Sequence, residues 1–254
     1  MIRVHPELND DEILRLFSRG IERQWTDTVI DWGQVDNLSA AQREAIAAVI
    51  TPVYLGEQTA MIGVSTVLSM MLQDGNHEAA LYLSTMALDE GRHFKNLNHF
   101  YRALAVEPWA RGRLPEMWRY HGRLLQGRDP VAWVWGILIS DLFAKQFYGG
   151  FWQRFPETLI GHLSRLTLQD EARHQAFCDR YLVRVLPTMD ASGKRRLLSM
   201  RDDLFRAIEA LGDRLRNPME ELEWSPEQFI RDLWDDTEKW VERLGLVEKP
   251  VRAE

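Results

Sequence analysis

Apolar residues along this chain recur at intervals of three and four, and no stretch shows the strict alternation of a strand. Small clusters of Gly, Pro, Asp and Asn interrupt the pattern at about the spacing of one long helix. The chain therefore reads as all-α. The first long helix is predicted from the cap Ser39 to about residue 73, kinked at Pro52 and stopped by Asp74-Gly75-Asn76. A second runs from 77 to about 105 and is closed by Glu107-Pro108. A short helix is expected near 117–125. Asp129-Pro130 then opens a third long helix that reaches about Tyr148, where Gly149-Gly150 loosens its end. Pro156 opens the fourth, which extends to about Val185 before Pro187. Segments 191–216 and 226–244 read as amphipathic helices packed outside these four.

Several acids fall inside the apolar stripes. Glu57 shares a face of the first helix with Ile50, Tyr54, Met61, Val64 and Leu68, and Asp141 is the one acid of the strongly apolar run 131–148. The second and fourth helices carry a repeated pentad, Asp89-Glu90-Gly91-Arg92-His93 and Asp170-Glu171-Ala172-Arg173-His174. Its Glu-x-x-His step places carboxylate and imidazole on one helix face. A lone step of this kind is common on a solvated face. Two of them, with one acid on each of two further helices, form the carboxylate and imidazole set of dinuclear bundle proteins, here with Asp where Glu is usual. Four buried carboxylates would each cost several kcal/mol without compensation, and two divalent cations cancel all four charges. The expected ligands are Glu57, Glu90, His93, Asp141, Glu171 and His174, with Glu90 and Glu171 as bridges and one imidazole per metal.

Composition narrows the setting. The 254 residues are 45% hydrophobic and 27% charged, enough to bury a sizeable core in a single domain spanning 1–254, with the bundle at about 39–186 and flanking helices at about 190–245. The net charge is -7, and no Lys/Arg cluster is placed to follow a phosphate backbone, so nucleic acid is not an expected partner. The charged start of the chain has no apolar leader region, and no run of about eighteen apolar residues occurs, which leads to the expectation of a soluble, cytoplasmic protein without a membrane. Cys178 is the single cysteine, so neither an internal disulfide nor a thiolate cage is available. Carboxylate oxygens with only two imidazoles favour iron or manganese over zinc.

At these residues the chain resembles the ferritin-like di-iron carboxylate superfamily, and within it the ribonucleotide reductase small-subunit-like oxidases and oxygenases, over roughly residues 39–185. The resemblance implies a ferritin-like four-helix bundle with additional flanking helices, and it implies that Asp170, and by the same pattern Asp89, supports a ligating His from behind. Trp25 and Asp31-Trp32 are similar to the lead-in that crosses such bundles. Three departures bear on function. Leu97 stands where radical-storing subunits have Tyr, Thr59 and Gly136 stand where an ether crosslink needs Val and Tyr, and Thr167 stands where arylamine oxygenases have a third His.

The resulting expectation is an oxidoreductase of monooxygenase or oxidase type. It would use two Fe ions, or a Mn/Fe pair, with O2 as co-substrate, a small and partly apolar organic substrate, an external electron donor and a homodimeric assembly. The alternatives are a radical-generating or accessory subunit, in which Tyr54 or Tyr101 replaces the missing Tyr, and a non-enzymatic iron-binding relative. Lys145, one turn beyond Asp141, either faces the site as a proton carrier or packs its stem and directs its ammonium outward. Lys145 and Tyr54 are the catalytic candidates. Tyr101, Tyr148 and Cys178 fit core packing or redox roles, and Trp133, Trp135 and Trp152 fit packing anchors. Ile137, Leu138 and Phe147 are candidate walls of a substrate cavity.

Overall fold

The computed structural model describes residues 6–34 and 37–246, and among them there are eight α-helices and no strand. They are α1 Asp11–Glu22, α2 Ala40–Asp74, α3 His77–Leu104, α4 Pro115–Leu124, α5 Pro130–Arg154, α6 Leu159–Val185, α7 Ala191–Glu221 and α8 Pro226–Arg243. The four long helices expected from periodicity are α2, α3, α5 and α6. They pack as two hairpins, α2 with α3 and α5 with α6, joined face to face through α2 with α5 and α3 with α6. On the outside, α7 and α8 cover α2 and α5, α4 lies on α7 and α2, and α1 lies across α3 and α6.

The helix ends follow from local chemistry. Ser39 and Gln42 form a reciprocal capping box at the start of α2, with both bonds at 3.0 Å. Gly75 ends α2 in the left-handed region at φ 79°, which glycine adopts without a Cβ penalty. Asn76 then accepts from the Ala79 amide at 3.2 Å and so begins α3. A two-residue connection, Gly75-Asn76, therefore reverses the chain and fixes the first hairpin.

α2 runs as one helix through Pro52 to Asp74, the extent expected. Several other boundaries differ from expectation. α5 does not loosen at Gly149-Gly150 but runs on to Arg154, because a mid-helix glycine costs only about 1 kcal/mol relative to alanine and packing offsets it. Gly150 is where the Trp224 ring closes on α5: a Cβ there would lie 2.2 Å from Trp224 Cζ2. Gly150→Ala is expected to destabilise the fold by about 1–3 kcal/mol, read as a lower urea midpoint at unchanged slope. α6 starts at Leu159, capped by Thr158, and Pro156 sits in the turn before it. α7 passes through Pro218 to Glu221, five residues beyond the expected end. The sequence reading missed α1, an amphipathic helix that buries Ile13 and Gly20 and packs Leu16 against the core.

α2 contains a stretch long and apolar enough by length and composition to cross a membrane. That stretch is 67% buried inside the protein, which marks it as a core helix.

Candidate metal centre

The six expected ligands converge midway along the bundle. Glu57 comes from α2, Glu90 and His93 from α3, Asp141 from α5, and Glu171 and His174 from α6, and none is more than 6% exposed. Glu57, Glu90 and His93 form one cluster and Glu90, Asp141 and His174 a second, each offering ligand atoms within 4.8 Å of one another. Glu90 belongs to both. Glu171 lies between them: its Oε1 is 3.7 Å from His93 Nδ1 and its Oε2 is 3.6 Å from His174 Nδ1.

These groups face one another without bonding. His93 Nδ1 stands 3.4 Å from Glu57 and 3.8 Å from Glu90, and His174 Nδ1 stands 3.4 Å from Glu90. Glu90 Oε1, His93 Nδ1, Asp141 Oδ2, Glu171 Oε2 and His174 Nδ1 are all buried and lack a hydrogen-bond partner. Buried polar atoms are ordinarily paired, so five orphans at one point indicate a missing partner common to them. Donors about 2.1 Å from a shared cation lie roughly 3 Å apart, close to the spacing found. The residues present fit two divalent cations.

Behind the imidazoles the pentads interlock. His93 Nε2 faces Asp170 Oδ2 at 3.0 Å and His174 Nε2 faces Asp89 Oδ2 at 3.2 Å, so each Asp supports the His of the other helix. A carboxylate behind each Nε2 favours a proton on that nitrogen and turns Nδ1 toward the centre. Arg92 donates to Asp89 and Asp170, both at 2.6 Å, and Arg173 donates to Asp170 at 2.6 Å and Asp89 at 3.0 Å. Trp25 adds an indole N–H to Asp170 at 2.8 Å, and Gln24 adds an amide to Asp89 at 2.9 Å while accepting from Arg92. The pentad thus divides its labour: Glu and His face the centre, Asp and Arg tie α3 to α6. Asp170→Asn is expected to weaken metal binding about 10–100-fold in a chelator competition, because the His93 ring loses its charged support.

The electrostatics match the geometry. Burial pushes Asp89 up, but the His174 hydrogen bond and charge prevail and hold it at about 2. Asp170 is likewise held below the usual range, burial being outweighed by His93, Arg92 and Arg173. The inner acids behave differently. Burial, reinforced by the charges of Glu57 and Glu171, lifts Glu90 to about 8, and burial with the Glu171 charge lifts Asp141 well above its ordinary value. Burial opposes charge on both imidazoles, yet the surrounding carboxylates raise His93 and His174 well above the usual value.

The two catalytic candidates are not at the centre. Lys145 points outward, half exposed, with Asp236 at 3.4 Å, since one turn from Asp141 carries its long side chain past the edge of the buried face. The Tyr54 hydroxyl accepts from Asn98 at 2.9 Å, and its ring stacks on Phe94. The tyrosine that touches the site is Tyr148, fully buried, whose hydroxyl donates to Glu57 at 2.5 Å. Its place two turns beyond Asp141 on one helix face is the sequence signal for it. Tyr101 bonds Thr51 and the Ala47 carbonyl, and Cys178 is fully buried with its thiol pushed up by burial and then by the Asp141 charge. An apolar cavity adjoins the carboxylates, with Trp133 and Ile137 in its wall. Leu138 and Phe147 lie in the core instead, Trp135 donates to the Leu197 carbonyl, and Trp152 is 44% exposed.

Fold and site together describe a ferritin-like helical bundle built around a paired carboxylate and histidine cluster. No protein family profile and no curated protein matches the chain. Solved structures do. An R2-like ligand-binding oxidase with aerobically reconstituted metal cofactor after photoconversion superposes with a TM-score of 0.76 at 14% identity, over 94% of each chain. A structure of an R2-like ligand-binding oxidase with aerobically reconstituted Mn/Fe cofactor gives 0.76 at 14% identity, over 94% of this chain and 93% of that one. The chain has the fold of these proteins over nearly its whole length.

Proposed function

We propose that the protein is an O2-dependent oxidoreductase with a dinuclear iron or manganese-iron centre, acting on a small, partly apolar organic molecule with electrons from an external donor. The observation that carries this reading is the set of five unpartnered donor atoms brought together by α3, α5 and α6, beside an apolar cavity. The similar solved structures are named as oxidases with metal or Mn/Fe cofactors, which supports the same reading. Such metals, when bound, supply the electrons that activate O2 and the oxidising power then directed at substrate.

The chain's own residues set the conditions. Glu90 and Glu171 would reach both ions, Glu57 and Asp141 would each serve one of them, and each His would offer Nδ1. Asp141 is one methylene shorter than Glu, so it reaches less far and leaves its end of the site open. Asp89 and Asp170 hold the Nε2 protons and keep the rings from turning. The Tyr148 hydroxyl holds Glu57 in place. The apolar walls keep bulk water from the reacting groups.

Protein loaded with iron, or with iron and manganese, and reduced without air should bind about two metals per chain and consume O2 on exposure, followed by absorption and an oxygen electrode. Metal-loaded, reduced protein that leaves O2 untouched would overturn the proposal. The contact of Tyr148 with Glu57 favours a second reading, a radical-generating or accessory role. A tyrosyl signal in electron paramagnetic resonance after O2 exposure, lost in Tyr148→Phe, would select it.

A further inference from the structure

The cavity beside the metal centre is walled in part by α4, the short helix that lies outside the four-helix bundle on α2 and α7. His121, in the last turn of α4, lines this cavity with 5% of its surface exposed, and neither ring nitrogen has a hydrogen-bond partner. The hydroxyl of Tyr120, 2% exposed, lines the same cavity, with Ser140 as its polar neighbour. An unpaired buried polar group costs free energy that an apolar residue of the same size would not. Met117, Leu124, Ile137 and Leu204 in the wall are apolar, Thr59 and Ser140 are its other uncharged polar residues, and among the described residues no Lys or Arg lines the cavity. Neither His121 nor Tyr120 belongs to the two candidate ligand clusters, so the pair is not part of the metal site. Burial holds His121 at about 4, and a neutral imidazole presents one N–H donor and one lone pair.

We propose that His121, with Tyr120, binds the polar end of the substrate, and that this end is an uncharged group able both to give and to take a hydrogen bond, such as an alcohol or a primary amide, on an otherwise apolar molecule. Among the described residues the cavity offers no cationic side chain for an anionic group, and it offers a donor and an acceptor side by side on one ring. His121 and Tyr120 are specificity-determining residues in this account, acting on substrate while the metals act on O2. The inference rests on the oxidase reading for the word substrate, but the recognition itself is testable apart from turnover.

The test compares benzyl alcohol with toluene, which share an apolar body, on the full-length protein loaded with manganese(II) under nitrogen. Dissociation constants come from ligand-observed nuclear magnetic resonance, and metal content is measured on the same samples. His121→Leu should lower the preference for the alcohol over toluene by about tenfold, and His121→Gln, which keeps a donor and an acceptor, should restore most of it. Tyr120→Phe removes one oxygen and carries the test should the Leu variant not fold, with an expected loss of about threefold or more. A preference that moves by less than about threefold in every folded variant among His121→Leu and Tyr120→Phe overturns the proposal, as does wild-type protein that binds neither probe. Protein that takes up no metal yet shows the expected preference would sink the oxidase reading and leave this recognition standing. Protein that loads metal but shows no preference would do the reverse.

Discussion

Glu90→Gln is expected to lower bound metal from about two ions per chain to one or none, and at the same time to make the metal-free protein harder to unfold. The two effects have one cause. Glu90 is the residue common to both ligand clusters, so the loss of its charge weakens both positions together. In the metal-free protein that same carboxyl is a burden, because burial and the charges of Glu57 and Glu171 hold it at about 8. A carboxylic acid whose pKa is higher in the folded than in the unfolded chain stabilises least where it must ionise. The penalty is absent below the unfolded value, grows as pH rises toward 8, and is complete above it. Glutamine carries no such penalty. Unfolding at pH 8 should therefore show a gain for the variant on the order of 2–3 kcal/mol, roughly 4–12 °C in Tm, and unfolding near pH 4 should show almost none. Added manganese(II) should reverse the order, stabilising the wild-type protein more than the variant. Equal metal content in the two proteins would remove Glu90 from its shared position.

The same balance explains which parts of this molecule are legible in its sequence. Periodicity and caps located the four long helices because their signals are local: Ser39 with Gln42, Gly75 with Asn76, and Asp129 with Pro130 each act within one turn. The convergence of the six inner side chains followed from charge, since four acids inside apolar stripes have few other ways to be neutralised. What stayed hidden depends on partners distant in sequence. The continuation of α5 past Gly149 is set by Trp224, and nothing near Gly150 announces that ring. The crossing of Asp89 to His174 and Asp170 to His93 is set by the register of α3 against α6. The repeated Arg of the pentad was the visible clue to that crossing, and its meaning lay in the pairing of two helices. Lys145 and Tyr54 were placed by helical phase alone, which gives a direction but not the length of a side chain or the competing partner at its tip.

Gly56→Leu is expected to abolish substrate oxidation, by on the order of 100-fold or more, while leaving metal content and folding intact. Gly56 precedes Glu57 on α2 and lines the cavity, and a Cβ built on it meets nothing within 4 Å. A leucine there enters space instead of displacing neighbours, so the overpacking cost that Gly150 would suffer does not arise. The helix itself gains, since glycine in a helix interior is about 0.5–1 kcal/mol less favourable than good helix formers. Tm should hold or rise by a few degrees, while the apolar volume next to the carboxylates is lost to substrate. Gly149→Leu is the matched control: its Cβ also meets nothing within 4 Å, but it lies on α5 outside the cavity wall. Its turnover should equal that of the wild type. Unchanged turnover in Gly56→Leu would mean that substrate reaches the centre by another path, and loss of metal would mean that the glycine serves the ligands. Turnover lost with metal and stability retained would tie the empty space at this one glycine to the reaction.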